Sequence, residues 1–162
     1  MKLNGSSCLA VPTGLFINNV FEPSLSGSTI EVRNPAYGTV LGNVSAAEAA
    51  DVDKSVELSE AAYKTTWQRT SCEDRRKLLL RLAGLVERDA EGLASLEAVD
   101  AGVLYKDSFG IFVPQAVETC RYYAGWADKI DGESLTITQG MAYTRREPFG
   151  VCAAIVPWNA PL

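Results

Sequence analysis

Hydrophobic and polar positions follow three different rhythms along the chain, and each predicts a different kind of element. Near the start, Leu15-Phe16-Ile17 and Val20-Phe21-Glu22 flank Asn18-Asn19. Asparagine tolerates the left-handed backbone that a two-residue turn needs, so this stretch predicts a β-hairpin. Thr29-Ile30-Glu31-Val32-Arg33 alternates like a half-buried strand, and Asn34-Pro35-Ala36-Tyr37-Gly38 turns the chain into Thr39-Val40-Leu41.

The middle of the chain has helical spacing. Ser45-Ala46-Ala47-Glu48 has the form of a capping box, and Ala49, Val52, Val56, Tyr63 and Trp67 follow on one face. Ser71 caps a second helix with the stripe Leu78, Leu79, Leu82, Leu85 and Val86. A shorter third helix carries Leu93, Leu96 and Val99, and a fourth runs from about Val113 through Val117, Cys120, Ala124 and Ala127. Pro114 must lie in its first turn or kink it, because an interior proline loses a hydrogen bond and clashes. The stripes that include Val52, Val56, Leu82 and Leu85 are expected in the core.

Alternation returns in Ser134–Thr138 and Ala142–Arg146 around Gln139-Gly140-Met141, which predicts a second hairpin. Val151-Cys152-Ala153-Ala154-Ile155-Val156 is apolar throughout, entered by Gly150 and stopped by Pro157. A strand apolar on both faces suits a parallel sheet with helices on each side. Only Pro157-Trp158-Asn159-Ala160-Pro161-Leu162 follow, too few for a crossover helix, so the expectation is a polypeptide that continues past Leu162. The alternative is antiparallel pairing with an earlier hairpin in a complete chain.

Composition narrows the chemistry. The 162 residues are 47% hydrophobic with a net charge of -5, which excludes disorder and predicts one domain. An acidic balance argues against nucleic acid as a partner. No stretch reaches the ~20 apolar residues of a membrane span, and the first fifteen residues lack a signal-peptide core, so a soluble cytoplasmic protein is expected. There is no histidine, which removes Ser-His and Cys-His nucleophile pairs, His-ligated zinc and an imidazole base. Cys8, Cys72, Cys120 and Cys152 form no C-x-x-C pair and read as free thiols in a reducing compartment. The sequons Asn4-Gly5-Ser6 and Asn43-Val44-Ser45 read as chance matches.

Few residues invite a chemical role. Pro157-Trp158-Asn159 sits at the carboxyl end of the expected parallel strand, where open α/β sheets bind ligands. An asparagine there either satisfies its own turn backbone or aims its amide N–H at a developing oxyanion; spacing alone favours the turn. Cys152 reads as core rather than nucleophile, and Arg145-Arg146 as a solvated hairpin face rather than a phosphate or subunit contact. Neither G-x-G-x-x-G nor G-x-x-x-x-G-K-[ST] occurs, so the chain has no phosphate-cradling loop of its own.

The order Phe16-Ile17-Asn18-Asn19, Asn34-Pro35-Ala36, Arg121-Tyr122-Tyr123-Ala124-Gly125-Trp126-Ala127-Asp128-Lys129, Tyr143-Thr144-Arg145-Arg146-Glu147-Pro148 and Val156-Pro157-Trp158-Asn159 resembles the N-terminal portion of NAD(P)-dependent aldehyde dehydrogenases. The resemblance implies an incomplete α/β fold of that family: N-terminal β-hairpins, a helical layer, an arm-like hairpin and the first strand of a Rossmann-like parallel sheet. Residues 1–132 would be the N-terminal part of the cofactor-binding domain, 133–149 an oligomerisation arm, and 150–162 the first core strand with its Pro-Trp-Asn turn. Val156, Pro157, Trp158 and Asn159 would line the nicotinamide side of an NAD or NADP site, with Asn159 donating to the oxyanion of a thiohemiacetal. Ile111 and Gln115 would border the aldehyde channel. No metal is expected, although Asp100 matches a position near a monovalent cation in some members. Ala101 and Val103 replace an asparagine and a lysine common there, and Ala160 a common phenylalanine.

The resemblance implies an aldehyde oxidoreductase and a homo-oligomer joined through the 134–148 hairpin. It also implies that this chain alone is inactive, because the nucleophilic cysteine and general-base glutamate match nothing before Leu162. Two alternatives are a non-catalytic module that docks on full-length subunits through that hairpin, and a self-sufficient α/β domain.

Overall fold

A computed structural model describes residues 10–162; Cys8 and the sequon at 4–6 lie outside the described residues. The fold is mixed α/β. Strands β1 (Leu15–Ile17) and β2 (Val20–Glu22) form the expected hairpin, pairing Ile17 with Val20. Asn18 and Asn19 both take positive φ, 50° and 63°, which matches the right-handed twist of the strands. A second antiparallel pair, β3 (Thr29–Arg33) and β4 (Val40–Ser45), closes over the Asn34–Gly38 turn. There the Asn34 side chain accepts the N–H of Ala36 at 2.8 Å.

Helix α1 (Ala49–Thr65) starts later than the sequence pattern predicts. Ser45 is already spent as the last residue of β4, paired with Thr29, so it cannot cap. Glu48 is the N-cap instead, and the side chain of Asp51 accepts its N–H at 2.9 Å. Asp51 also accepts the N–H of Leu25 at 2.8 Å and is only 3% exposed, which fastens the loop after the first hairpin to the start of α1. Those two N–H groups, of Glu48 first and then Leu25, hold its carboxyl below the usual carboxylate range.

Helix α2 (Cys72–Arg88) is capped as expected, the Ser71 hydroxyl accepting the N–H of Asp74 at 3.1 Å. After α3 (Ala90–Asp100) the chain runs through one short turn, α4 (Tyr105–Asp107), into a π-turn (Ser108–Phe112) and then α5 (Val113–Trp126). Pro114 lies in the first turn of α5, directly after the π-turn. The core lies where α5 packs on α2 and α3: Ala83, Ala94, Val113, Val117 and Ala124 are buried.

Three expectations need correction here. The stripes read as core are largely exposed: Val52, Val56, Leu82 and Leu85 are all in contact with solvent. Helix α2 turns Ala83 inward, and of its predicted stripe Leu79 and Val86, which flank Ala83 at four and three residues, are half-buried. Strands β5 (Ser134–Leu135) and β6 (Ala142–Tyr143) have two residues each, far shorter than 134–138 and 142–146. Their pairing is extended only by Thr144, whose N–H donates to the Glu133 carbonyl at 2.8 Å. Residues 151–156 form no strand: no ladder partner lies beside them among the described residues, and Ile155 is fully exposed. Cys152, expected in the core, is exposed for the same reason.

Candidate functional site

The candidate site begins at Gly150, whose φ of +94° redirects the chain after the β5–β6 hairpin. From there the ribbon 151–153 runs along β1 and α1. Val151 and Ala153 border a hollow of about 350 Å³ with Leu15, Ile17, Val52 and Val56. The ribbon then leaves the body of the fold, and Trp158-Asn159 forms a turn.

The expected cofactor residues are adjacent in the chain and open to solvent: Val156 is 63% exposed and Trp158 86%. Pro157 and Asn159 are also exposed. The hollow beside 151–153 does not include them. The indole, the valine and the carboxamide have the apolar surface and the polar donor that a nicotinamide ring needs, but they line no hollow among the described residues. They do not fit its diphosphate, for which the sequence has no glycine loop.

Ile111 and Gln115 lie far from that turn in sequence, on the π-turn and the first turn of α5. Both are exposed. Asp100, the last residue of α3, is exposed, and no group of three or more His, Cys, Asp or Glu suited to a metal occurs among the described residues. Arg145 pairs with Glu147 at 2.9 Å on the exposed stretch after β6, in keeping with a solvated face.

One buried polar pair escaped the sequence reading. Glu97 on α3 is 4% exposed and Ser108, opening the π-turn, is fully buried; the Ser108 hydroxyl donates to Glu97 Oε2. The only hint in the sequence is a glutamate three residues after Ala94 on the inward face of a helix.

Residues 21–162 match the model of the aldehyde dehydrogenase family. The chain belongs to that family. It is 42% identical over 152 residues to an aldehyde dehydrogenase of Alternaria alternata, covering 93% of this chain and 31% of that one. It is 46% identical over 156 residues to aldehyde dehydrogenase [NAD(P)+] 2 of Saccharomyces cerevisiae, covering 95% and 31%. The fold resembles the indole-3-acetaldehyde dehydrogenase AldA of P. syringae solved with NAD+, at a TM-score of 0.90 and 34% identity, over 95% of this chain and 32% of that one. The chain therefore spans about a third of the aldehyde dehydrogenases it matches, and its fold is an incomplete one for the family. Among the described residues, no helix is long and apolar enough to cross a membrane.

Proposed function

We propose that this chain supplies the N-terminal part of an NAD(P)-dependent aldehyde dehydrogenase that oxidises aldehydes to carboxylates. The observation that carries the reading is the Trp158-Asn159 turn, exposed at the end of an apolar ribbon, in a chain whose relatives are named for NAD(P)+. Val156, Pro157 and Trp158 offer the surface for the nicotinamide ring, which accepts hydride when bound. Asn159 offers its side-chain N–H to the oxygen of the aldehyde as a thiolate adds to the carbonyl carbon. Charge develops on that oxygen only as the C–S bond forms, so a donor placed there lowers the barrier without tightening ground-state binding. Ile111 and Gln115 border the path of the aldehyde. The thiolate and the base that activates water for thioester hydrolysis come from polypeptide other than this chain, so 1–162 by itself oxidises no aldehyde.

The ribbon 151–156 supports this reading by its composition. Six apolar residues with unpaired backbone suit the first strand of a parallel sheet once further strands flank it. The experiment grafts residues 21–162 in place of the matching stretch of the Alternaria alternata enzyme. Aldehyde-dependent NADH formation is expected from the graft, and Asn159→Ala in it lowers kcat by about 10²–10³. An inactive graft, or a fully active Asn159→Ala, overturns the proposal, as does NADH formation by the 162-residue chain alone.

The short β5–β6 pair favours a second role. Among the described residues it stands without a third strand, with Met141 81% and Tyr143 73% exposed, and offers open edges for strand addition. Residues 134–148 then join subunits in a homo-oligomer, or dock this chain on full-length subunits without catalysis. Co-purification with a full-length relative, lost in Thr136→Pro or Thr144→Pro, is the expected result; a chain that ignores such a partner overturns it.

A further inference from the structure

Helix 105–126 contains a discontinuity that the proposed chemistry leaves unexplained. The N–H of Val113 reaches back five residues to the carbonyl of Ser108, not four. Such a turn inserts a residue, and at 3.6 residues per turn it rotates everything after it by about 100°. Pro114 gives one reason for it: with no N–H, it cannot bond the Gly110 carbonyl, and a wider turn relieves the clash of its ring. Proline alone does not say where the turn begins.

The beginning is held by a buried pair. Ser108 has no solvent contact and donates its hydroxyl to Glu97 Oε2, while Glu97 Oε1 is buried without a partner. Burying a carboxyl with one oxygen unsatisfied is costly, and α3 places it directly against the π-turn. No other side chain of α3 has its polar end committed to this turn: Ser95 bonds its own helix at Glu91. Ile111 is three residues beyond Ser108 and Gln115 four beyond Ile111, so the direction of both depends on where the turn is pinned.

We propose that Glu97 and Ser108 are positioning residues that fix the π-turn and thereby aim Ile111 and Gln115, setting which aldehydes the channel accepts by size. The inference rests on the proposed function for the channel, but the aiming itself is a property of this chain. Ser108→Ala removes the pin while keeping a small buried side chain. Glu97→Gln keeps an acceptor for the Ser108 hydroxyl and serves as the conservative rescue.

Two measurements decide it. Hydrogen exchange on the 162-residue chain is expected to quicken by about tenfold in Ser108–Gln115 for Ser108→Ala, with α2 unchanged, and to stay near the parent rate for Glu97→Gln. In the Alternaria graft, Ser108→Ala is expected to change the ratio of KM for benzaldehyde to KM for acetaldehyde by about fivefold or more, at unchanged kcat. Unchanged exchange overturns the aiming. Altered exchange with an unchanged KM ratio, or an equal loss of kcat on both aldehydes, overturns the role in selectivity. An inactive parent graft is a failure of the proposed function instead, and exchange then still decides whether the pair aims the turn.

Discussion

Val117→Ala tests where the core lies. Its side chain is 3% exposed on α5, whose principal neighbour is α2. Valine to alanine deletes two methylene equivalents, a transfer loss of about 1.6 kcal/mol at about 0.8 kcal/mol each. Helices pinned by Ala83 and Ala124 have little room to close over the void, which raises the total to about 2–3 kcal/mol. For a chain of this size that corresponds to a fall in Tm of about 4–12 °C. The paired control is Val52→Ala, the same deletion on α1 at a side chain 54% exposed, expected to cost less than about 0.5 kcal/mol. Urea unfolding followed by far-UV circular dichroism reads both, as a shift in midpoint at constant slope. Equal losses would refute the reasoning, because Val52 would then be as covered in solution as Val117.

Three further outcomes follow from local geometry. Because the Asp51 carboxyl is held low by two N–H groups, its contribution is present above its unfolded value near ~3.9 and lost as pH falls through its folded value. The urea midpoint of the parent therefore drops between neutral and acid pH more steeply than that of Asp51→Asn; parallel profiles would count against the bond network. Asn19→Val forces a β-branched residue to a φ of 63° and is expected to cost about 1–2 kcal/mol in thermal melts, whereas Asn19→Gly costs nothing. A Cβ on Gly132 would stand 1.8 Å from the Thr144 carbonyl oxygen, so Gly132→Ala displaces the root of the arm. Protection of the Glu133 and Thr144 amides from exchange is expected to vanish, and retained protection would contradict it.

Local chemistry was legible in the sequence wherever a residue type has one job. Asn18-Asn19 makes the first turn, Ser71 caps α2 and Pro114 opens α5. The inward stripe of α5 was legible too, since Val113, Val117 and Ala124 are buried, but the covered faces of α1 and α2 were not, for a physical reason. The seam between α2 and α5 is built on Ala83 and Ala124, small residues that let helices approach closely but weigh little in a hydrophobic pattern. The leucines beside them dominate the pattern and point elsewhere. Glu97 and Ser108 were invisible because polar residues in a core look like surface. For the site, Val156-Pro157-Trp158-Asn159 could be named from its motif, yet the exposure of 151–156 could not, since periodicity records what a strand would bury and not whether its neighbours are beside it.

The indole at 158 has a practical consequence. Trp67 lies beneath the Arg75 guanidinium, 5.1 Å from ring centre to charge, and Trp126 leans on Tyr122 with ring centres 6.3 Å apart. Trp158 stands apart from both pairs at 86% exposure, so acrylamide quenches it first. Anything that seats on the turn, whether a nucleotide or neighbouring polypeptide, shields that ring and shifts its emission to the blue. The chain thus carries its own optical gauge at that turn.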